Sequence, residues 1–383
     1  MGRNAIDNLG TLGLDVQLAR DLRARGIISV DQLVEYVERF PRYARSLLGF
    51  SRDVLMQLIA RRGVSVRHGL AQRDLRPLPA AGISGPIEDY PDLVEHRTAN
   101  RGWVRGLARE VRRRVAQVAV PLMVSLVDQM QPIKNQGSYG FCVGFGVNAQ
   151  REFFLGRPTS DGYCYRGSKL YDPIPEREGS LQIFGHKFQF EHGSVESDVY
   201  SYQDAIQNRA IEPFFDQAAR LKTHGYVDLR PGYDEFDITP ELLKLVLAGK
   251  FSDDLPAMPV CLSIELYESS HSFTTQDSGL FIDAPEFERP IGAHAMAIVG
   301  YIDAQHPDAL GDTTYFIVRN SWGTDWARNN PLGLPGHALI PASYFTCRKR
   351  TMELLVGIAD LEARGFGEAL SRMFNRVSGL IRA

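Results

Sequence analysis

The sequence predicts an α+β protein in which a small all-helical domain precedes a larger domain with helices first and strands later. Short helical patterns separated by glycine-centred turns occupy residues 9–62. A second helical run follows Cys142, and strand-like runs contain His294 and lead to Asn320. The 383 residues, 44% of them hydrophobic, can bury a sizeable core and form more than one structural unit.

Composition excludes several classes of protein. The formal net charge of -3 is small, so no global field favours nucleic acid or a membrane. The N-terminus lacks the apolar stretch of a signal peptide, and no segment approaches the roughly 20 apolar residues that span a bilayer. The four cysteines have wide, irregular spacings that match neither a metal motif nor a disulfide framework. We therefore expect a cytoplasmic protein.

Residues 1–75 form the first predicted domain. Their helical segments and glycine turns resemble the helix-hairpin-helix class of modules, some of which bind DNA phosphates through backbone turns. The charge bias of the segment is mild. We therefore expect a docking or inhibitory helical unit rather than a nucleic-acid-binding module.

Residues 76–118 form the second predicted region. Residues 76–92 carry four prolines and read as an extended linker. The segment GWVRGLAREVRRRVAQVAV that follows places Val111, Val115 and other apolar residues at helical spacing. Two interpretations stay open: the helix packs on the catalytic domain, or residues 76–118 form an inhibitory pro-segment that crosses the active site and is later cut.

Residues 362–383 predict an amphipathic C-terminal helix, because EALSRMFNRVSGLIRA places its apolar side chains on one stripe and its arginines elsewhere. Such a helix usually packs on its own protein. Docking to a partner or to a membrane surface is the alternative.

Cys142 is the candidate nucleophile. A glycine-rich polar loop leads into it and a helical run follows, so the thiol is predicted at or near a helix N-terminus. The free amides and the dipole there favour thiolate over thiol. Gln136, six residues upstream, could add its side-chain amide to the Cys142 backbone N–H and so form an oxyanion hole.

His294 and Asn320 are the candidate partners of that thiol. They lie in successive strand-like runs, and a hairpin centred on Pro307 would bring them side by side. An asparagine oxygen beside an imidazole can accept its N–H and direct the other ring nitrogen towards a thiolate. Trp322 could shield that hydrogen bond from water.

Three segments in this order resemble the papain and cathepsin family of cysteine peptidases: KNQGSYGFC, AHAMAIVGY and YFIVRNSWGTDW. We therefore take residues 119–361 as the catalytic domain. The resemblance implies a papain-like fold with a helical lobe that carries the cysteine, a β-barrel-like lobe that carries the histidine and asparagine, and a peptide-binding cleft between them. It implies no metal or organic cofactor. The implied catalytic residues are Cys142 as nucleophile, His294 as acid and base, Asn320 as its orienter and Gln136 as oxyanion donor.

The chain also departs from that family. Phe141 and Val143 replace the residues usual beside the nucleophile, and the neighbouring cysteine of a disulfide is absent, which fits a reducing compartment. No Cys-Asn-Gly-Gly segment that would line the cleft is present. Gly193 and Ser194 are its candidate substitutes.

The resemblance further implies a substrate pocket for the second residue before the scissile bond. Its walls would include Ser263, Gly292 and Ala293, and Trp322 would border the same cleft. The three wall residues are small. We therefore expect room for a bulky substrate side chain.

The predicted function is hydrolysis of peptide bonds through a thioester, by an endopeptidase made as a latent zymogen. A peptide ligase or transpeptidase would use the same thioester and pass it to an amine. A non-catalytic protein-binding module would use the scaffold alone. The presence of the required residue type at every catalytic position favours an enzyme.

Overall fold

The computed structural model describes residues 9–66, 82–84, 87–92, 104–223, 225–230, 237–251, 256–283, 288–346 and 351–358, with backbone alone at 84, 104–110, 227 and 358. The predicted C-terminal helix at 362–383 lies outside the described residues, as does Cys347. The cytoplasmic location stays a prediction. Within the described ranges, every helix is too short or too polar to cross a bilayer.

The N-terminal helical unit, residues 9–66, contains four helices. Its second helix begins with a capping box, in which the side chains of Ser29 and Gln32 satisfy each other's backbone N–H groups. Pro41 begins the third helix, and left-handed glycines end the third and fourth. The helices are α1 (Val16–Ala24), α2 (Val30–Arg39), α3 (Pro41–Leu48) and α4 (Arg52–Arg62).

The remaining described helices pack around a sheet. They are α5 (Val104–Gln117), α6 (Cys142–Leu155), α7 (Asp161–Ser168), α8 (Gln182–Glu191), α9 (Tyr202–Ile206), α10 (Phe215–Ala218), α11 (Thr239–Leu247), α12 (Phe273–Ser278) and α13 (Ala342–Phe345). The predicted α+β class, with a helical part before the strands, is therefore confirmed.

The sheet is antiparallel and joins eight strands. Its strands are β1 (Ile83–Ser84), β2 (Met123–Ser125), β3 (Gly225–Asp228), β4 (Val260–Tyr267), β5 (Pro290–Ile302), β6 (Tyr315–Arg319), β7 (His337–Pro341) and β8 (Thr351–Ile358). The order is β3-β8-β4-β5-β6-β7, and β1 and β2 also pair with β5. Long β5 is therefore the strand on which the two short N-terminal strands meet the main sheet.

The predicted hairpin between β5 and β6 exists, but its register differs from the prediction. A hairpin centred on Pro307 would place Ala297 opposite Ile317, whereas the structure pairs Ala297 with Arg319. A β-bulge just before Gly300 adds one more residue of shift towards the turn. Beside the site the shift is two residues, so each side chain keeps its predicted face.

Helix α5 packs on the catalytic domain. Val111 is buried in the main hydrophobic core, which also contains the α11 leucines. Val115, predicted for the same buried stripe, is 48% exposed. The helix therefore buries only part of the predicted apolar face before it ends at Gln117.

Candidate active site

Cys142 is the first residue of α6, as predicted. The helix packs very closely on α7, since a Cβ at Gly144 would lie 2.1 Å from the Asp161 carbonyl oxygen. This close approach needs the glycine and brings the N-terminal turn of α6 into the protein interior. Cys142 is 1% exposed.

His294 lies on β5, with Asn320 directly after β6. Its Nε2 is 2.8 Å from Asn320 Oδ1, which also accepts a bond from the Ser321 N–H. Because an amide oxygen only accepts, Nε2 carries the proton and Nδ1 is left as a base. The Trp322 ring stacks on the imidazole at 4.5 Å between centroids. The structure thus brings together His294, Asn320 and Trp322, as the sequence predicted.

The thiol lies beside the strand that carries this histidine. The Ala295 N–H, one residue beyond His294, donates to Cys142 Sγ at 3.4 Å. Cys142 and Ala295 share a small buried cluster with Val143, Val147 and Cys164. Strand β5 therefore positions the candidate base and one neighbour of the thiol at once.

Burial determines the protonation of the pair in this conformation. It raises the pKa of Cys142 to about 12, although the bond from the Ala295 N–H acts in the opposite direction. It lowers the pKa of His294 to about 4, against the effect of the Asn320 bond. Desolvation outweighs the helix N-terminus that led us to expect a thiolate. At neutral pH the covered site therefore holds a thiol and a neutral imidazole.

Gln136 is fully buried in the loop before Cys142. Its Oε1 accepts from Ser321 Oγ at 2.5 Å, and its Nε2 donates to the Tyr139 carbonyl at 2.8 Å. These bonds turn the amide nitrogen towards the loop that leads to the nucleophile. The oxyanion role of Gln136 stays a prediction.

Residues 82–84, which are Gly82 and strand β1, cover the thiol. Gly82 donates its N–H to the Ala293 carbonyl at 2.8 Å, and Ile83 and Ser84 pair with Ala293 and Gly292. A Cβ at Gly82 would lie 2.3 Å from Cys142 Sγ. The predicted substrate residues Gly292 and Ala293 thus already bind an extended segment of the chain itself.

Ile83 enters an apolar cluster beside this strand. The cluster joins it to Leu181, Phe184, Ala293 and Met352. Ser263, also predicted to bind substrate, is only 4% exposed and bonds to Gln182 Nε2 and to the Glu353 carboxylate. Ser263 is therefore a buried residue with both hydrogen bonds made inside the protein, and its role in binding substrate stays a prediction.

Gly193 and Ser194 were the wrong substitutes for the missing cleft segment. Gly193 lies against the Ala218 carbonyl, where a Cβ would be 1.9 Å from that oxygen. The residue that faces β1 is Gly179, with φ +88° and a hypothetical Cβ 1.6 Å from the Gly82 carbonyl oxygen. Its only sequence signal was a glycine and serine before a helical run, a pattern shared by many turns.

No three histidine, cysteine, aspartate or glutamate side chains within the described ranges are placed to hold a metal ion.

His271 is a neighbour of Trp322 that sequence reasoning missed. Its ring stacks on Trp322 at 5.6 Å between centroids and is buried. Nothing near it in the sequence marks this contact.

Comparison with known proteins agrees with this geometry. Residues 249–330 match the family model described as papain family cysteine protease, a segment that contains His294 and Asn320 but not Cys142. An uncharacterized peptidase C1-like protein of Acanthamoeba polyphaga mimivirus is 31% identical over 232 residues, covering 57% of this chain and 66% of that protein.

A cathepsin L-like peptidase of Aedes aegypti is 25% identical over 218 residues, covering 55% of this chain and 58% of that protein. Xylellain, a cysteine protease from Xylella fastidiosa, has a TM-score of 0.47 and 19% identity, over 65% of this chain and 90% of that structure. The chain spans about three-fifths of the length of the first curated relatives. The matched segment and the curated relatives show that this chain is similar to papain-family cysteine proteases.

Proposed function

We propose that the chain is a cysteine endopeptidase that its own residues 82–84 hold latent. The observation that carries this proposal is the position of β1. An extended segment pairs with Gly292 and Ala293 immediately before His294, and its Gly82 touches Cys142 Sγ. An extended peptide substrate would use the same backbone groups.

The chemistry follows from the three side chains. The Cys142 thiol gives its proton to His294 Nδ1 and its sulfur attacks the carbonyl carbon of the peptide, while the tetrahedral oxyanion takes bonds from the Cys142 N–H and the Gln136 amide. The C–N bond breaks as His294 protonates the leaving amine. Water, deprotonated by the same imidazole, then attacks the thioester and releases the acid and the thiol.

Latency has a physical cause in this arrangement. With β1 in place, the pKa of Cys142 is raised and that of His294 is lowered by the same desolvation. Removal of β1 would rehydrate both groups and favour the thiolate and imidazolium pair. Residues 76–118 would thus include an inhibitory part around 82–84 and a helix, α5, that packs on the catalytic domain.

The position of the covering segment in the sequence favours an endopeptidase over an exopeptidase. Ile83 and Ser84 are interior residues of the chain, and they pair with Ala293 and Gly292 immediately before His294. An exopeptidase site would instead bind a chain terminus.

The test is incubation of the purified chain with mass analysis over time, alongside Cys142→Ala. We expect self-cleavage between residues 76 and 120 in the wild type only, and labelling by an epoxide-type thiol inhibitor that the variant loses. Product masses with and without an added amine separate hydrolysis from ligation. A full-length chain that neither labels at Cys142 nor cleaves itself or an added peptide, even when Gly82→Ala displaces residues 82–84 from the thiol, would refute the proposal.

A further inference from the structure

The N-terminal helical unit and the catalytic domain each contribute a buried residue to the hydrophobic core of the other. Ile282, from the segment after α12, is part of the apolar core of the helical unit. Ile28, from the helical unit, is part of a sheet core that includes Leu280 and Ala297. At Gly26 the two backbones approach so closely that a Cβ would lie 2.6 Å from the Phe281 carbonyl oxygen. The contact therefore resembles the interior of one protein.

Polar bonds join the same two parts. The Glu35 carboxylate on α2 accepts bonds from Thr274 Oγ1 at 2.6 Å and from the Thr274 N–H at 3.3 Å. Burial raises the pKa of Glu35, while these bonds act in the opposite direction. The Arg25 carbonyl also accepts from the Asp283 N–H at 2.7 Å. Glu35 thus holds the first turn of α12.

Helix α12 is tied to the wall of the active site. The Gln276 amide on α12 donates to the His271 carbonyl at 3.1 Å. The His271 ring then stacks on Trp322, and Trp322 stacks on His294. A continuous series of contacts therefore runs from Glu35 to the candidate base. The residue that covers the Cys142 thiol is Gly82, directly before β1, and it is not part of the helical unit.

We infer that the N-terminal helical unit is a lasting positioning part of the enzyme, in which Glu35 and Thr274 hold His271 and Trp322 against His294. The inference rests on the proposed cysteine peptidase chemistry and adds a role for the helical unit. The alternative role for the helical unit is that of a removable inhibitor. The two differ in sign: loosening a positioning part slows the reaction of Cys142, whereas loosening an inhibitor speeds it up.

The experiment compares full-length wild type with Glu35→Ala, Thr274→Ala and the double variant. The matched control is Glu38→Ala, which is on the same helix but pairs with Arg52 inside the helical unit. The readouts are the rate of Cys142 alkylation by iodoacetamide across a series of pH values, and kcat and KM for peptide hydrolysis. Both are measured in a Gly82→Ala background, in which residues 82–84 are displaced from the thiol. Alkylation is measurable even if no peptide is cleaved, so failure of the proposed function is seen separately.

We expect Glu35→Ala to lower the alkylation rate and kcat about threefold or more, with KM little changed and a shifted pH profile. Thr274→Ala should do the same, the double variant should add little, and Glu35→Gln should recover most of the rate because it keeps an acceptor oxygen. Glu38→Ala should match wild type. Unchanged rates, additive losses or faster alkylation in Glu35→Ala would overturn the inference.

Discussion

The thiol of Cys142 shows two physical effects in opposition at a single residue. Its place at the start of α6 favours the thiolate, and its burial under β1 favours the thiol. In the covered conformation burial prevails and raises the pKa of the group to about 12. We therefore expect the reactivity of Cys142 to depend on whether residues 82–84 cover it.

Gly82 is the residue through which this control can be tested. Any side chain there would meet Cys142 Sγ at 2.3 Å, so Gly82→Ala must push β1 or the thiol aside. Such overpacking costs about 1–3 kcal/mol, which corresponds to about a tenfold shift towards the uncovered state. We expect Cys142 in Gly82→Ala to be alkylated about tenfold faster than in wild type.

Ser84→Ala is the matched control for this prediction, because Ser84 is two residues from Gly82 in the same covering segment and the substitution adds no atom. Its alkylation rate should remain near that of wild type. If Gly82→Ala reacts no faster than Ser84→Ala, β1 does not protect the thiol by contact.

At the scale of elements, helix α8 depends on a residue from a distant strand. The N-cap residue of α8 is Leu181, and its side chain makes no hydrogen bond to the first backbone N–H groups of the helix. Instead, Glu353 on β8 accepts from the Gln182 and Ile183 N–H groups at 2.9 and 3.0 Å, and from Ser263 Oγ. This carboxylate joins α8, β4 and β8 below the apolar cluster around Ile83.

Glu353→Ala is expected to destabilise the protein by about 1–3 kcal/mol, because it leaves buried donors without an acceptor. Glu353→Gln keeps one acceptor oxygen and should lose less. Urea unfolding followed by circular dichroism measures both. Equal stabilities of Glu353→Ala and wild type would show that water replaces the carboxylate at no cost.

For the molecule as a whole, buried histidines give stability a dependence on pH. His186 is the clearest case, since neither ring nitrogen has a described partner and burial lowers its pKa to about 3. The unfolded histidine, with a pKa near its ordinary value of about 6.5, binds a proton that the folded one does not. Stability is therefore lost as pH falls below about 6.5, by about 1.4 kcal/mol per pH unit.

His186→Phe removes this proton-binding group and keeps a ring that can stack on Tyr226. Relative to wild type, the variant should gain about 2 kcal/mol of unfolding free energy between about pH 7.5 and about pH 5. Urea unfolding at the two pH values provides the comparison. A difference between the two proteins that does not change with pH would contradict the assignment.

Several features of the site were predictable because they depend on local chemistry or on strand pairing. The helix after Cys142 follows from a nearby pattern, and the contact of His294 with Asn320 follows from two successive strands. The prediction tolerated a register error of two residues, because that shift leaves the side chains on the same face.

By itself the sequence determined the α+β class and predicted the candidate nucleophile, base and orienter, since each depends on residue type, order and short-range periodicity. Only the tertiary structure decided that β1 lies on Cys142, that Gly179 faces it, and that His271 and Glu35 connect the helical unit to His294. These contacts join residues far apart in the chain. The reversed protonation of Cys142 has the same origin, because desolvation sums over every neighbour in space and no local pattern records that sum.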